Sequence, residues 1–351
     1  MKERRPPLPG GRLRPASFDD EDDLRAFAPA RRRGFGAIQR LVAGALIVVV
    51  AAVAAVLGGL GIALYRHAHP PRVSLQDTPA NLFLSFQDVS FPSSDGVTLN
   101  GWWIEGTEGL PVLVLSHDLG DSRADLLGLA ARLAELKYPI LLFDFRGHGA
   151  SAGASSFGIL EKRDLTGAVD YVATRRQLDA ARIGVVGVGM GAYAAILAAV
   201  ERPQIRCLVL DSPYPDAPSE FLAAGMPQGA LRRWITSWST FVYDVYYRVR
   251  ASDDSAARQI RQLSDRNLLF LAPKEKGRAA GEARAMYDSV SEARNNFKNL
   301  LLLNATRTTA LYGEDRSRYD DEVIGFFRSY LPPVPRGEAP AARMPAPAAR
   351  P

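Results

Sequence analysis

Short apolar runs alternate with segments of helical period through the middle of the chain. Val112–Ser116, Ile140–Phe143, Ile183–Val186, Cys207–Leu210, Leu268–Ala272 and Leu300–Leu303 read as strands. They are too short for helices and lack polar alternation, as expected of strands buried on both faces. Between them, residues 123–136, 160–175, 190–201, 279–296 and 319–331 predict helices. Upstream, Val89–Pro92 and Val97–Ile104 flank Ser-Ser-Asp-Gly, a hairpin signal. The alternation predicts an α/β fold, a mostly parallel sheet covered by helices on both faces. Residues 213–266 interrupt it. There Trp234, Trp238, Phe241, Val245 and Val249 recur at helical spacing, with Tyr243, Tyr246 and Tyr247 alongside. The favoured reading is a cap helix that buries this stripe on the core. The other is an aromatic surface for lipid, an acyl ligand or a partner protein.

Leu41 to Tyr65 is a different kind of apolar run, 25 residues without a charge. At about 1.5 Å per residue it crosses a hydrocarbon layer of about 30 Å with some tilt. It is longer than a signal-peptide core and begins after forty residues, which favours an uncleaved anchor. Arg31, Arg32, Arg33 and Arg40 precede it, and Arg66 and Arg72 follow. The larger cluster is expected to stay cytoplasmic, placing the N-terminus inside and the main domain outside the cell membrane, in a periplasm if one exists. His67 and His69 form a small metal-like pair; without a third ligand nearby they read as interfacial residues. The expected organisation is a disordered tail over 1–40, the span over 41–65, a linker over 66–88, the main domain over 89–331, and a proline-rich disordered tail over 332–351.

Charge changes this picture little. Of the chain's 43 Lys/Arg and 38 Asp/Glu, residues 1–40 hold ten and six, so the rest is close to neutral. That excludes a nucleic-acid-binding body, which needs a concentrated basic face. The single cysteine, Cys207, excludes an intrachain disulfide and reads as a buried small residue.

The candidate chemistry centres on Gly187-Val-Gly-Met-Gly, which follows a strand and opens a helix. This is the setting of a nucleophile elbow, Gly-x-Ser-x-Gly. The serine position holds Gly189. Other motifs precede it in order: Asp95-Gly-Val-Thr-Leu-Asn-Gly-Trp-Trp, Leu115-Ser-His-Asp, Asp144-Phe-Arg-Gly-His-Gly-Ala-Ser and Phe157-Gly-Ile-Leu-Glu-Lys-Arg-Asp. Asp211-Ser-Pro-Tyr follows. This series resembles the α/β-hydrolase superfamily, in the branch of Bem46-like and S33 serine aminopeptidase-like proteins. The resemblance implies an α/β-hydrolase fold with a helical lid at 213–266.

It also implies a triad in the order Ser, Asp or Glu, then His. The serine attacks, the histidine takes its proton, and the acid holds the ring. Here the nucleophile position is Gly189. The acid position falls at Lys276 or a neighbour, Glu275 being a shifted candidate. The base position falls at Thr308. All four histidines, His67, His69, His117 and His148, precede Gly189, so no base arrives in that order. Relatives carry His-Gly beside the oxyanion hole, where this chain has His117-Asp118; a carboxylate there opposes a developing negative charge unless it points away. Loss of a whole triad removes rate on the order of a millionfold. A recruited set from Ser116, His117, Asp144 and Ser212 is the fallback, and His117, Asp118, Leu119 and Met190 are the expected ligand-lining residues.

Gly187-x-Gly189-x-x-Ala192, with Asp211 ending the next strand, also fits a dinucleotide fingerprint. The hydrolase-like order upstream weighs against it. The expectation is a membrane-anchored, non-catalytic protein that binds a protein partner, through the lid or tails, or a small ligand. It needs no cofactor, metal or nucleic acid. A rearranged hydrolase of ester or amide bonds and a dinucleotide-binding module are the alternatives.

Overall fold

The computed structural model describes residues 33–332, apart from 73–74, 76, 176–177, 219, 221–229, 275–276, 292–295 and 306–310. Two compact units divide the chain, residues 1–56 and 57–351. The first, where described, is part of one helix, α1 (Arg33–Ala68). The stretch Gly36–Ala68 is long and apolar enough to cross a bilayer, which suggests a membrane anchor. Leu46, Ile47, Val48 and Val50 are more than half exposed, which suits lipid and not water.

The second unit holds the last turns of α1 and an eight-stranded sheet. The strands are β1 (Phe86–Pro92), β2 (Thr98–Ile104), β3 (Pro111–Ser116), β4 (Ile140–Phe143), β5 (Asp179–Val188), β6 (Ile205–Asp211), β7 (Asn267–Pro273) and β8 (Lys298–Leu303). Their order is β1-β2-β4-β3-β5-β6-β7-β8. The β1–β2 and β2–β4 pairs are antiparallel and the rest parallel. The apolar runs of β3 and β4 are buried throughout, as their lack of alternation requires.

The helices are α2 (Leu127–Glu135), α3 (Glu161–Ala173), α4 (Met190–Glu201), α5 (Ala230–Tyr247), α6 (Ala256–Gln259), α7 (Gly277–Ser289) and α8 (Gly313–Tyr330). Two hydrophobic clusters flank the sheet. One gathers α3, α4 and the last turns of α1; the other gathers α2 and α8. Several boundaries differ from expectation: β1 starts at Phe86, not Val89, and β5 at Asp179, not Ile183. The helix predicted over 279–296 ends at Ser289, because Lys298 Nζ donates to the carbonyls of Tyr287 and Val290 and closes it off. Helix α8 starts at Gly313, not 319, since its first turn is charged and carries no apolar period. The apolar helix runs past Tyr65 to Ala68, with Leu64 and Ala68 buried against the domain.

Candidate functional site

The loops leaving the C-terminal ends of β3, β5 and β6 converge on Gly189, the usual location of a ligand site in an open parallel sheet. Gly189 has φ +51° and ψ −108° and stands between β5 and α4. A side chain there costs on the order of 1–3 kcal/mol of backbone strain. Two bonds fix the turn: Gly189 N–H donates to Asp211 O at 2.8 Å, and Tyr193 N–H donates to Gly189 O at 3.0 Å. The turn is therefore a sharp strand–turn–helix elbow, as the spacing predicted, with glycine at its apex.

Asp118 fills the space above that apex. Its Oδ1 accepts from Met190 N–H at 2.8 Å and from Leu119 N–H at 2.7 Å. An α/β-hydrolase aims these two kinds of donor, the amide after the nucleophile and one from the loop after β3, at the oxyanion. Donors that stabilise an oxyanion lie about 2.7–3.1 Å from it, so Oδ1 stands where that oxygen would form. The same carboxylate abuts the apex: an ideal Cβ on Gly189 would lie 1.9 Å from Asp118 Oδ1 and 2.2 Å from its Cγ. One side chain thus covers both the nucleophile position and its donors. Of the four expected ligand-lining residues, Asp118, Leu119 and Met190 meet here; His117 sits beneath them with its ring turned to other partners.

Those partners decide what His117 can do. Its Nε2 accepts from Phe145 N–H at 3.1 Å, and its Nδ1 donates to Asp118 O at 2.7 Å. Burial, with His148 nearby, pushes its pKa down to about 4, so it is neutral near pH 7. His148 is held likewise, Nε2 accepting from Gly120 N–H and Nδ1 donating to Arg146 O, both at 3.0 Å. Neither ring has a free nitrogen to take a proton. Ser116 Oγ donates to Val186 O at 2.9 Å, and Ser212 Oγ to Asp211 Oδ1 at 2.8 Å, so neither serine meets a histidine. Asp144 Oδ1 and Oδ2 accept from Arg123 N–H and Ala150 N–H. The fallback residues are adjacent in the fold but bonded as supports. Lys276, Glu275 and Thr308 lie outside the described residues.

The fingerprint's Gly187 and the elbow's Gly191 are also accounted for by packing; a Cβ on Gly187 would lie 2.5 Å from Gly191 O. A Cβ on Gly191 would lie 2.4 Å from Ser116 O, so that glycine lets α4 close on β3. The start of α4, where a pyrophosphate would bind, carries the Asp118 carboxylate. His67 and His69 each bond the carbonyl four residues back, at 2.9 Å, and the described residues contain no group of three metal-ligating side chains. A cleft of about 800 Å³ exists elsewhere, lined by Gly313, Glu314, Ser317, Arg318, Asp321 and Glu322; none belongs to the elbow.

Only part of the expected stripe is buried: Val249 packs against the core, whereas Phe241 and Val245 do not. On α5, Phe241 and Val245 are 58% and 62% exposed, while Tyr243 is fully buried and Ser239 nearly so. The tyrosine face wins because its hydroxyls have carbonyls to bind. Tyr243 donates to Ser156 O, and Tyr247 to Ser155 O at 2.6 Å. Trp234 lies among residues whose side chains fall outside the description. The 155–158 loop that receives α5 is itself gripped by buried Glu161, which accepts from Ser155 Oγ, Ser156 N–H, Ser156 Oγ and Gly158 N–H. Sequence reading missed this role of Glu161, although its place in the Phe157–Asp164 motif marked it.

With the elbow and its sheet in view, comparison with known proteins becomes specific. Residues 108–299, more than half the chain, match the family described as Serine aminopeptidase, S33. The chain belongs to this family. Among relatives, the uncharacterized protein Rv2307c of Mycobacterium tuberculosis is 33% identical over 192 residues, covering 53% of this chain and 67% of that protein. The α/β hydrolase domain-containing protein WAV2 of Arabidopsis thaliana is 31% identical over 142 residues, covering 39% and 46%. The chain therefore spans less than half of WAV2. A solved esterase of Pyrococcus furiosus, Pf2001, matches with TM-score 0.58 and 26% identity, over 75% of this chain and 99% of that one.

Proposed function

We propose that this S33-family chain is a non-catalytic, membrane-anchored α/β-hydrolase-fold protein that acts by binding. The observation that carries the reading is the Asp118 carboxylate, seated on the Met190 and Leu119 amides against Gly189. A carbonyl substrate would have to expel a charge held by two hydrogen bonds, and would then meet no nucleophile at the apex. The ring nitrogens of His117 and His148 are both engaged, which removes the nearest bases. The occupant bound instead is a protein partner or a small ligand at the mouth of the elbow. The charge bias around the 41–65 span, with Arg31, Arg32, Arg33 and Arg40 ahead of it and Arg66 and Arg72 behind, favours a domain outside the cytoplasmic membrane.

The relatives' chemistry supplies the competing reading, an esterase-like hydrolase with a rearranged site. A fluorophosphonate probe separates the two. The full chain in membranes is expected to remain unlabelled under conditions that label a serine esterase to completion. Labelling abolished by one serine substitution, such as Ser116→Ala or Ser212→Ala, would overturn the non-catalytic reading.

A further inference from the structure

The last turns of α1 and the lid helix α5 are fastened to the same loop. Ser155 N–H donates to Ala68 O at 2.8 Å, and His67 stacks on Phe157 with ring centroids 6.1 Å apart. From the other side, Tyr247 and Tyr243 donate to the carbonyls of Ser155 and Ser156. Leu64 and Tyr243 are buried in one cluster. The helix that carries the chain toward the bilayer therefore ends beside the lid, with no spacer between them.

The candidate span runs on to Ala68, so the turns that dock beside the lid are its own last residues. The lid presents there what an interface accepts: exposed Phe241 and Val245 one turn apart, Tyr246 at 42% exposure, then exposed Arg248 and Arg250. Amphipathic helices lie in the interface with such a face, and arginines at their edge favour anionic headgroups.

We propose that the outer face of α5, centred on Phe241 and Val245, seats in the headgroup–acyl boundary of the bilayer that α1 enters. The proposal rests on the anchor reading of α1 and not on whether the elbow is catalytic. The lid is then held by lipid on one face and by the 155–158 loop on the other.

The test uses the full chain, one copy per nanodisc, in phosphatidylcholine and phosphatidylglycerol. Single-cysteine variants Phe241→Cys and Val245→Cys carry an environment-sensitive fluorophore, with buried Cys207 left in place. Val48→Cys reports on the anchor, and Ser317→Cys, on α8 across the sheet, serves as a solvent control. Lipids bearing a nitroxide near the headgroup should quench both lid labels and leave the label at 317 bright. Deep-nitroxide lipids should quench the label at 48. Lid labels as bright as that at 317, with the label at 48 quenched, would overturn the lid proposal and leave the anchor standing. An unquenched label at 48 would overturn both. Shielding of the lid labels only when several copies share a disc, without lipid quenching, would make a second copy the occupant and also overturn it.

Discussion

Gly189→Ser is the most informative single change, because it tests whether Asp118 and Gly189 exclude a side chain together. A serine brings two penalties. Holding a non-glycine residue at φ +51°, ψ −108° costs about 1–3 kcal/mol. Its Cβ would also lie 1.9 Å from Asp118 Oδ1, so the carboxylate must leave the Leu119 and Met190 amides. Hydrogen bonds to a charged group contribute about 1.5–3 kcal/mol each, and the half-exposed carboxylate regains part of that from water, leaving about 2 kcal/mol. The expected total is about 3–5 kcal/mol. In an Asp118→Gly background only the strain remains, so the same serine should cost about 2 kcal/mol less. Urea denaturation of the full chain in micelles, followed by tryptophan fluorescence, measures the four corners of this cycle. A coupling within about 0.5 kcal/mol of zero would refute the steric lock. No corner should gain esterase activity, since a serine alone still lacks a base.

Other perturbations reach the supports of the elbow. The pKa of His117 falls from 6.5 to about 4 on folding, so between those values the unfolded chain binds more protons. Stability from this residue is fully present above pH 6.5 and is lost as pH falls toward 4, by up to about 3 kcal/mol; His117→Gln should flatten that slope in denaturation curves measured across the window. Glu161→Gln replaces an acceptor of four bonds with a group that accepts on one side only. It should cost about 2–4 kcal/mol and speed hydrogen exchange at the Ser156 and Gly158 amides. Cys207 is buried, donates to Tyr330 O at 3.4 Å, and has its thiol pushed up to about 12. A thiol reagent should therefore label it in urea and not in buffer; rapid native labelling would contradict the packing described.

The fold was legible wherever burial imposes a pattern. β3, β4 and the core of β5 announce themselves because strands buried on both faces tolerate little but apolar residues. The first four residues of β5, Asp179–Arg182, carry no such signal, being polar or small and joined to Pro111 across a register shift. On α5 the sequence offered one stripe at helical spacing and, alongside it, the tyrosines Tyr243, Tyr246 and Tyr247. The choice between them depended on the Ser155 and Ser156 carbonyls, set by a loop whose conformation Glu161 dictates. The elbow was legible from Gly187, Gly189 and Gly191. The reach of Asp118 was not, because it depends on the direction of two backbone amides, which no residue spacing encodes. Only the charge of Asp118 could be read, and that was enough to mark the oxyanion position as altered.

Ester turnover by the full chain in native-like membranes tests the closed elbow most directly. Short-chain p-nitrophenyl esters should be hydrolysed no faster than by membranes carrying a Gly189→Ala chain, whose added methyl would meet the same carboxylate. Saturable turnover by the unaltered chain, lost on His117→Gln or Ser212→Ala, would contradict it.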